Sequence, residues 1–247
     1  MRADREKWEQ RYQAGERVHD GRPSAILMRW AHLVRPGRAL DAATGLGRNA
    51  LFLASQGFEV DAVDISPTAL AQAADRARRR GLRIRWIEAD LDCYPLPRAR
   101  YDLVVVSFFL KRRLVPALKA AVRPGGLLVM ENHLVGPEPD EGPGPAHRLR
   151  PGDLWRWFRG WEILELAEGL FTESGRRMWV GRIAARRPSP ATRGAPRVRQ
   201  RPARMKATRA LRASPVGPRT VCALWALDPR SESRIIVAAR GAYSLGA

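Results

Sequence analysis

Over its first 188 residues the chain alternates between two hydrophobic periods, and this alternation restricts the fold more than any other feature. Short Val/Ile/Leu-rich runs, each able to sit as a buried strand, are separated by longer segments with apolar residues every three or four positions, as a helix face requires. Ala39–Ala42, Glu59–Val63, Arg83–Ile87, Leu103–Ser107, Leu127–Glu131, Trp161–Ala167 and Met178–Ala184 read as strands. Arg48–Gln56, Pro67–Arg80, Lys111–Val122 and Pro151–Phe158 read as helices between them. Turn residues punctuate the series at Gly57, Gly81, Pro124-Gly125-Gly126 and Pro151-Gly152. Strands that alternate with crossover helices predict an α/β fold with a doubly wound, mainly parallel, seven-stranded sheet.

The pattern stops near residue 188, and the composition changes with it. The chain carries a formal net charge of +19, and residues 189–247 hold eleven Arg and Lys206 against only Asp228 and Glu232. Half the excess charge thus lies in the last quarter of the length. From Arg186 to Pro218 the Pro/Arg/Ala-rich sequence has too few aromatic and β-branched residues to offset the entropy of ordering. We therefore divide the chain into a domain, 1–188, and a basic tail, 189–247, expected to be largely disordered; Val221–Leu227 and Ile235–Ala239 are apolar enough for a late helix or strand. Clustered arginine in the tail suits non-specific contact with nucleic acid. Cys93 and Cys222 have neither metal-site nor disulfide-framework spacing. The start, MRADREKWEQRY, has no apolar signal-like core, and the longest apolar run, Leu103–Leu110, is well short of the roughly 20 residues a membrane helix needs. A soluble, cytoplasmic protein with no membrane partner is the expectation.

In a doubly wound sheet, ligands bind beyond the carboxyl ends of the strands near the switch point. The loop after the first strand reads Asp41-Ala42-Ala43-Thr44-Gly45-Leu46-Gly47-Arg48-Asn49. Gly45 and Gly47 permit a tight strand-to-helix turn and leave the backbone open to a ligand. Asp64 ends the next strand, where a carboxylate can accept from both hydroxyls of a ribose. A dinucleotide site would place a third glycine-like residue in the loop and no acid before it. Here Asp41 ends the first strand and no third glycine follows, which suits a ligand bearing sulfonium and ammonium charges better than a diphosphate.

The stretch ALDAATGLGRNALFLASQGFEVDAVDISPTALAQA resembles the S-adenosylmethionine (AdoMet) binding region of class I methyltransferases, specifically the tellurite-resistance and thiopurine methyltransferase-like group. Trp8, Arg11 and Tyr12 resemble that group's N-terminal Trp-x-x-Arg-Tyr motif; IEADLDCYPLPRARYDLVVV and LVPALKAAVRPGGLLVMENH resemble its later motifs, and HRLRPGDLWRWFRGWEILELAEG its late helix and strand. The likeness covers residues 1 to about 188 and leaves out the tail. It implies AdoMet as cofactor, with Asp41, Gly45 and Gly47 along the methionine part, Asp64 on the ribose, and Ile65, Asp90 and Leu91 around the adenine. It further implies that Arg48 and Asn49 hold the loop or the cofactor carboxylate, although a cation in a first helical turn is also read as a solvated residue. Ser107 belongs to the same set. Ala43-Thr44 departs from the group's more frequent Cys-Gly or Gly-Cys pair. Trp8 and Tyr12, four residues apart, share a helix face and are read as an aromatic lid or as a simple docking contact.

The acceptor side is less marked. Phe108, Phe109, Arg112, Arg113, Glu131 and His133 follow strand ends, and of these His133, Glu131 and Arg112 are the candidates for a catalytic role. Methyl transfer to a soft nucleophile relies on alignment and water exclusion, and no base is obligatory. The absence of an Asn-Pro-Pro-Tyr-like or paired-cysteine signature favours a small-molecule acceptor: a thiol, a chalcogen oxyanion or a heteroaromatic. Two alternatives stand beside it: an RNA- or DNA-directed methyltransferase using the basic tail, and a non-catalytic AdoMet-binding protein.

Overall fold

A computed structural model of the chain describes residues 2–15, 21–137, 142–173, 176–189, 224–227 and 234–237. The strands are β1 (Arg38–Ala42), β2 (Glu59–Asp64), β3 (Ile84–Glu88), β4 (Tyr101–Ser107), β5 (Val122–His133), β6 (Glu162–Glu173) and β7 (Arg176–Arg186). Two short strands, β8 (Leu224–Leu227) and β9 (Arg234–Val237), follow. The helices are α1 (Arg2–Gln13), α2 (Ala25–Trp30), α3 (Arg48–Ser55), α4 (Pro67–Arg79), α5 (Val115–Ala121) and α6 (Asp153–Trp157). Strand order across the sheet is β3-β2-β1-β4-β5-β7-β6-β9-β8. Strands β1 to β5 run parallel, while β7 inserts antiparallel between β5 and β6.

All seven expected strands are present in a mainly parallel sheet, a doubly wound α/β arrangement. Where the sequence left a late helix or strand open, β9 pairs with β6, and β8 with β9. Of the stretch from Arg186 to Pro218 expected to be disordered, Arg186 ends β7 and Arg187 is tied by hydrogen bonds to Gly125 and Gly126, so order extends to that point; the rest of the stretch beyond Ser189 and the other tail residues lie outside the described residues. Beyond the helix face shared by Trp8 and Tyr12, the sequence did not place α1 or α2 in the scheme, because α1 is mostly charged and polar and α2 has six residues.

The central strands are apolar on both faces because both are covered. Leu40, Val104, Val106, Leu128 and Met130 pack with Leu118, Leu154 and Phe158 on the face of α5 and α6. Ala39, Leu103, Val105, Leu127 and Val129 pack with Ile26, Leu27, Ala50 and Leu53 on the face of α2 and α3. Fully buried leucines such as Leu103 and Leu127 each stabilise the fold by about 1.5–3 kcal/mol through burial. Helix α4 shows local sequence and packing in agreement. Ser66 caps it by accepting from Ala69 N, Pro67 fits the first turn, Ala69, Leu70, Ala73 and Ala77 face inward, and Arg76, Arg78 and Arg79 occupy the last turn, where the helix dipole favours cations. Among the described residues no helix is long and apolar enough to cross a membrane, and no cluster of His, Cys, Asp or Glu could hold a metal ion.

Candidate active site

The switch point lies between β1 and β4, and the carboxyl ends of β1 to β4 open on one side of the sheet. After β1 the chain turns into α3 through three residues with positive φ: Ala43 at 57°, Gly45 at 53° and Gly47 at 77°. Gly47 caps α3, and a Cβ there would come within 2.9 Å of the Ala73 methyl, so glycine permits the loop to lie against α4. Asp41 props the loop from below: its Oδ2 accepts from Thr44 Oγ1 at 2.6 Å and from Ala50 N at 3.0 Å. Burial pushes its pKa up to about 6, against the pull of those hydrogen bonds and of Arg48.

Asp64 is buried at the end of β2. Its Oδ2 accepts from Gly45 N at 2.7 Å and its Oδ1 from Ser66 N at 3.0 Å, which joins the glycine loop to the cap of α4. Desolvation raises its pKa in spite of these donors. An ionised carboxylate offers about four acceptor sites, so each oxygen keeps capacity for a further donor.

A cleft of about 850 Å³, counting space open to solvent, lies over this loop. Of the sequence-identified residues, Gly45, Arg48 and Asn49 form one wall, Asp64, Ile65, Asp90 and Leu91 another, Ser107 the floor at the end of β4, and Trp8 and Tyr12 the roof. Asp41 and Gly47 do not line it and act beneath the loop. Phe108 and Phe109 extend the floor. Phe108 holds a left-handed backbone, φ 52°, which turns the chain sharply off β4. Asn49 ties the floor to α2: its Nδ2 donates to Ser107 Oγ at 3.0 Å, and its Oδ1 accepts from Ser24 N at 2.9 Å.

Helix α1 forms the roof, and polar contacts hold it. Glu9 accepts from Ser66 Oγ at 2.5 Å and from the Thr68 hydroxyl, and Arg5 pairs with Glu88. Lys111 bridges Asp4 on α1, at 2.9 Å, and Asp92 after β3, while Arg113 also pairs with Asp92 at 2.5 Å. The hydrogen bond from Lys111 holds the Asp4 carboxyl below its usual pKa. Trp8 and Tyr12 stack with centroids 6.1 Å apart, and the Tyr12 hydroxyl sits so close to Gly45 that a Cβ there would approach it to 2.6 Å. Burial raises the Tyr12 pKa, and nearby Asp64 adds to the rise. Asp4 and Lys111 line the cleft but were not singled out in the sequence, because their pairing depends on how α1 docks, which no local pattern encodes.

The three catalytic candidates lie outside the cleft lining. Glu131 is fully buried and pairs through Oε1 with Arg48 Nη2 at 3.1 Å; Arg48, 6% exposed, also donates to Arg22 O and lies 5.7 Å from the Phe108 ring. A cation in the first turn of α3 is thereby neutralised by β5 rather than solvated. His133 packs on Phe108 at 5.0 Å, one layer behind the floor. Arg112 points away and donates to the carbonyls of Ala146 and Arg148 and to Asp153, anchoring the segment before α6.

The donor set fits AdoMet. Asp64 has spare acceptor sites for ribose hydroxyls, Gly45 leaves the loop backbone open, and two buried carboxylates with raised pKa values gain from a cationic ligand. Comparison with known proteins agrees: residues 39–126 match the family described as a methyltransferase domain. This part of the chain is a class I AdoMet-dependent methyltransferase domain. A demethylmenaquinone methyltransferase of Thermus thermophilus is 37% identical over 114 residues, covering 43% of this chain and 50% of that protein. A protein named hemagglutinin 1, from Eikenella corrodens, is 33% identical over 149 residues, covering 56% and 48%. The chain therefore spans about half the length of these curated relatives. The crystal structure of TehB from Haemophilus influenzae superposes with a TM-score of 0.58 at 21% identity, over 66% of this chain and 62% of that one, which shows the shared fold.

Proposed function

We propose that the protein transfers a methyl group from AdoMet to a small-molecule acceptor, as a soluble cytoplasmic enzyme. The observation that carries this reading is the roofed cleft itself, in which Asp64 and Asp90 face inward and the phenylalanine floor meets the α1 roof. When bound, AdoMet supplies an electrophilic methyl on a sulfonium, and a nucleophile's lone pair forms the new bond as the carbon–sulfur bond breaks. The chain's own residues do the rest. Asp64 and Asp90 accept from the ribose and the adenine amine, with Asp41 and Asp64 providing negative charge near the sulfonium. Arg48, held by Glu131, lines the cleft and would pair with the cofactor carboxylate. Phe108 and Phe109 shape the acceptor side, and α1 excludes water, so alignment supplies much of the acceleration.

The apolar floor of Phe108 and Phe109 under the aromatic roof favours a thiol, a chalcogen oxyanion or a small heteroaromatic. The Thermus relative's name, a methyltransferase acting on demethylmenaquinone, agrees with a small-molecule acceptor. Incubation with methyl-labelled AdoMet and a panel of such acceptors tests the proposal. Transfer to one of them is the expected result; transfer to RNA or DNA alone, or AdoMet binding without transfer to any acceptor, refutes it.

A further inference from the structure

The opposite end of the sheet has its own character. All but one of the element boundaries there carry arginine: Arg35 and Arg38 lead into β1, Arg80 and Arg83 join α4 to β3, Arg98 and Arg100 lead into β4, Arg123 is the second residue of β5, Arg159 precedes β6, and β7 ends at Arg186, the exception being the α3–β2 connection. The acids at this end are already engaged. Glu59 pairs with Arg38, Asp61 with Arg85 and Arg100, Asp102 with Arg123, and Glu162 with Arg186. Arg35, Arg80, Arg83, Arg98 and Arg159 are exposed and have no ion-pair partner among the described residues. Part of this charge complements helix C-termini, as at Arg80 after α4. Arg35, Arg83, Arg98 and Arg159 lie on connections outside any helix and leave a rim of uncompensated positive charge.

We propose that this rim is a docking surface for duplex DNA, engaged through its phosphates. From β3 to β6 the sheet is seven strands wide, about 29 Å at the usual strand spacing, or roughly eight base pairs of duplex. Its cations are guanidinium groups on short, rigid connections, a form that pairs with phosphate oxygens bidentately. The side chains of the neighbouring Pro36, Gly81, Pro97, Ala99, Pro124 and Gly160 carry no hydrogen-bonding group, and Ser55 and Gln56 on the α3–β2 connection are the few polar side chains beside the arginines, so the contact is to phosphate with little means of reading a ribose 2′-hydroxyl, which favours duplex DNA as the occupant. No exposed aromatic provides a platform for unpaired bases, since Met28 and Val135 are the only large apolar side chains exposed among the described residues. The same lack of exposed apolar groups disfavours a lipid surface, which needs insertion as well as charge. The chain also leaves β7 at this end, and residues 189–247 that follow carry eleven Arg and Lys206 in sequence.

The rim and the cleft lie at opposite ends of strands five to seven residues long, about 20 Å apart. DNA held at the rim is therefore a tether and is not presented to the methyl group.

The test uses the full chain and a 20-base-pair duplex of mixed sequence, with binding read by fluorescence anisotropy from 50 to 200 mM salt. A variant with Arg35→Gln, Arg83→Gln, Arg98→Gln and Arg159→Gln removes four unpaired cations that bear on no ion pair. Its salt slope, log affinity against log salt, is expected to be shallower by about 3–4, with at least a ten-fold loss of affinity near 100 mM. Melting temperature and AdoMet affinity stay at the parent values, so the outcome is read independently of the cofactor site. The proposal is overturned if the variant keeps the parent slope and affinity, if AdoMet competes with the duplex, or if single strands, duplex RNA or phosphatidylserine vesicles are held more tightly than duplex DNA.

Discussion

Replacing Asp64 is the sharpest perturbation of the cofactor site, and the geometry sets its size. The carboxylate accepts from Gly45 N at 2.7 Å and from Ser66 N at 3.0 Å, so Asp64→Ala removes the ribose acceptor and also leaves two buried backbone donors without a partner. Asp64→Asn is the cleaner change, because its amide oxygen retains one acceptor while the charge and the second acceptor go. Each charge-assisted hydrogen bond to a ribose hydroxyl contributes about 1.5–3 kcal/mol. Loss of two, as in Asp64→Ala, corresponds to a fall in AdoMet affinity of roughly 10²-fold or more, and loss of one, as in Asp64→Asn, to roughly ten-fold or more. Calorimetric titration with AdoMet, with melting followed in parallel, separates this from a fold defect: the Asn variant should lose most of its affinity while melting within a few degrees of the parent. Unchanged AdoMet affinity in a folded variant, or tighter binding of NAD than of AdoMet by the parent, would refute the assignment of the cleft.

Asp41 gives the cofactor site a pH dependence. Its pKa in the fold is about 6, above the usual 3.8, so burial of the ionised form opposes folding progressively from about pH 4 to 6, while a cationic ligand favours that same ionised form. AdoMet affinity should fall about four-fold on going from pH 7.5 to 5.5, and Asp41→Asn should remove the step. Glu131→Gln leaves the Arg48 charge buried without its counter-ion, which costs about 3–5 kcal/mol and should lower the melting temperature by roughly 6–20 °C; a second change, Arg48→Met, should restore part of it. Phe109→Ala should keep AdoMet affinity and raise the acceptor KM, whereas Arg112→Ala should reduce melting temperature without moving AdoMet affinity, because Arg112 anchors carbonyls away from the cleft. Deleting residues 189–247 removes β8 and β9 and so unpairs the edge of β6 at Leu166–Glu168, which should lower the melting temperature while leaving AdoMet affinity within about two-fold; an unchanged melting temperature would show that these two strands add nothing to the domain.

The elements most legible in the sequence are those whose own residues carry the reason for them. Strand β4 is a buried apolar run, α4 begins with Ser66 and Pro67, and the glycine loop has the composition its backbone angles demand. Asp64 was legible because its place at a strand end fixes its direction. Less legible were features that arise only when distant segments meet. Nothing near Arg48 in sequence announces Glu131, 83 residues away, and Glu9 is an ordinary helix acid until α1 is laid over Ser66 and Thr68. Arg112 shows the converse. Its position after β4 suggested the acceptor side, yet the turn at Phe108 and the anchor at Asp153 direct it elsewhere.

The way α1 is fastened has a consequence for the timing of the reaction cycle. The helix covers the cleft with two aromatic rings, but its attachments to the domain are ion pairs and hydrogen bonds from Asp4, Arg5 and Glu9. Such attachments weaken as counter-ions accumulate, whereas the buried core beneath is nearly indifferent to them. Widening the cleft on the α1 side breaks these contacts, so exchange of cofactor is expected to quicken with ionic strength while the buried core stays unmoved. Salt then acts as a throttle on the exit from the site, set by three side chains in the first turns of the protein.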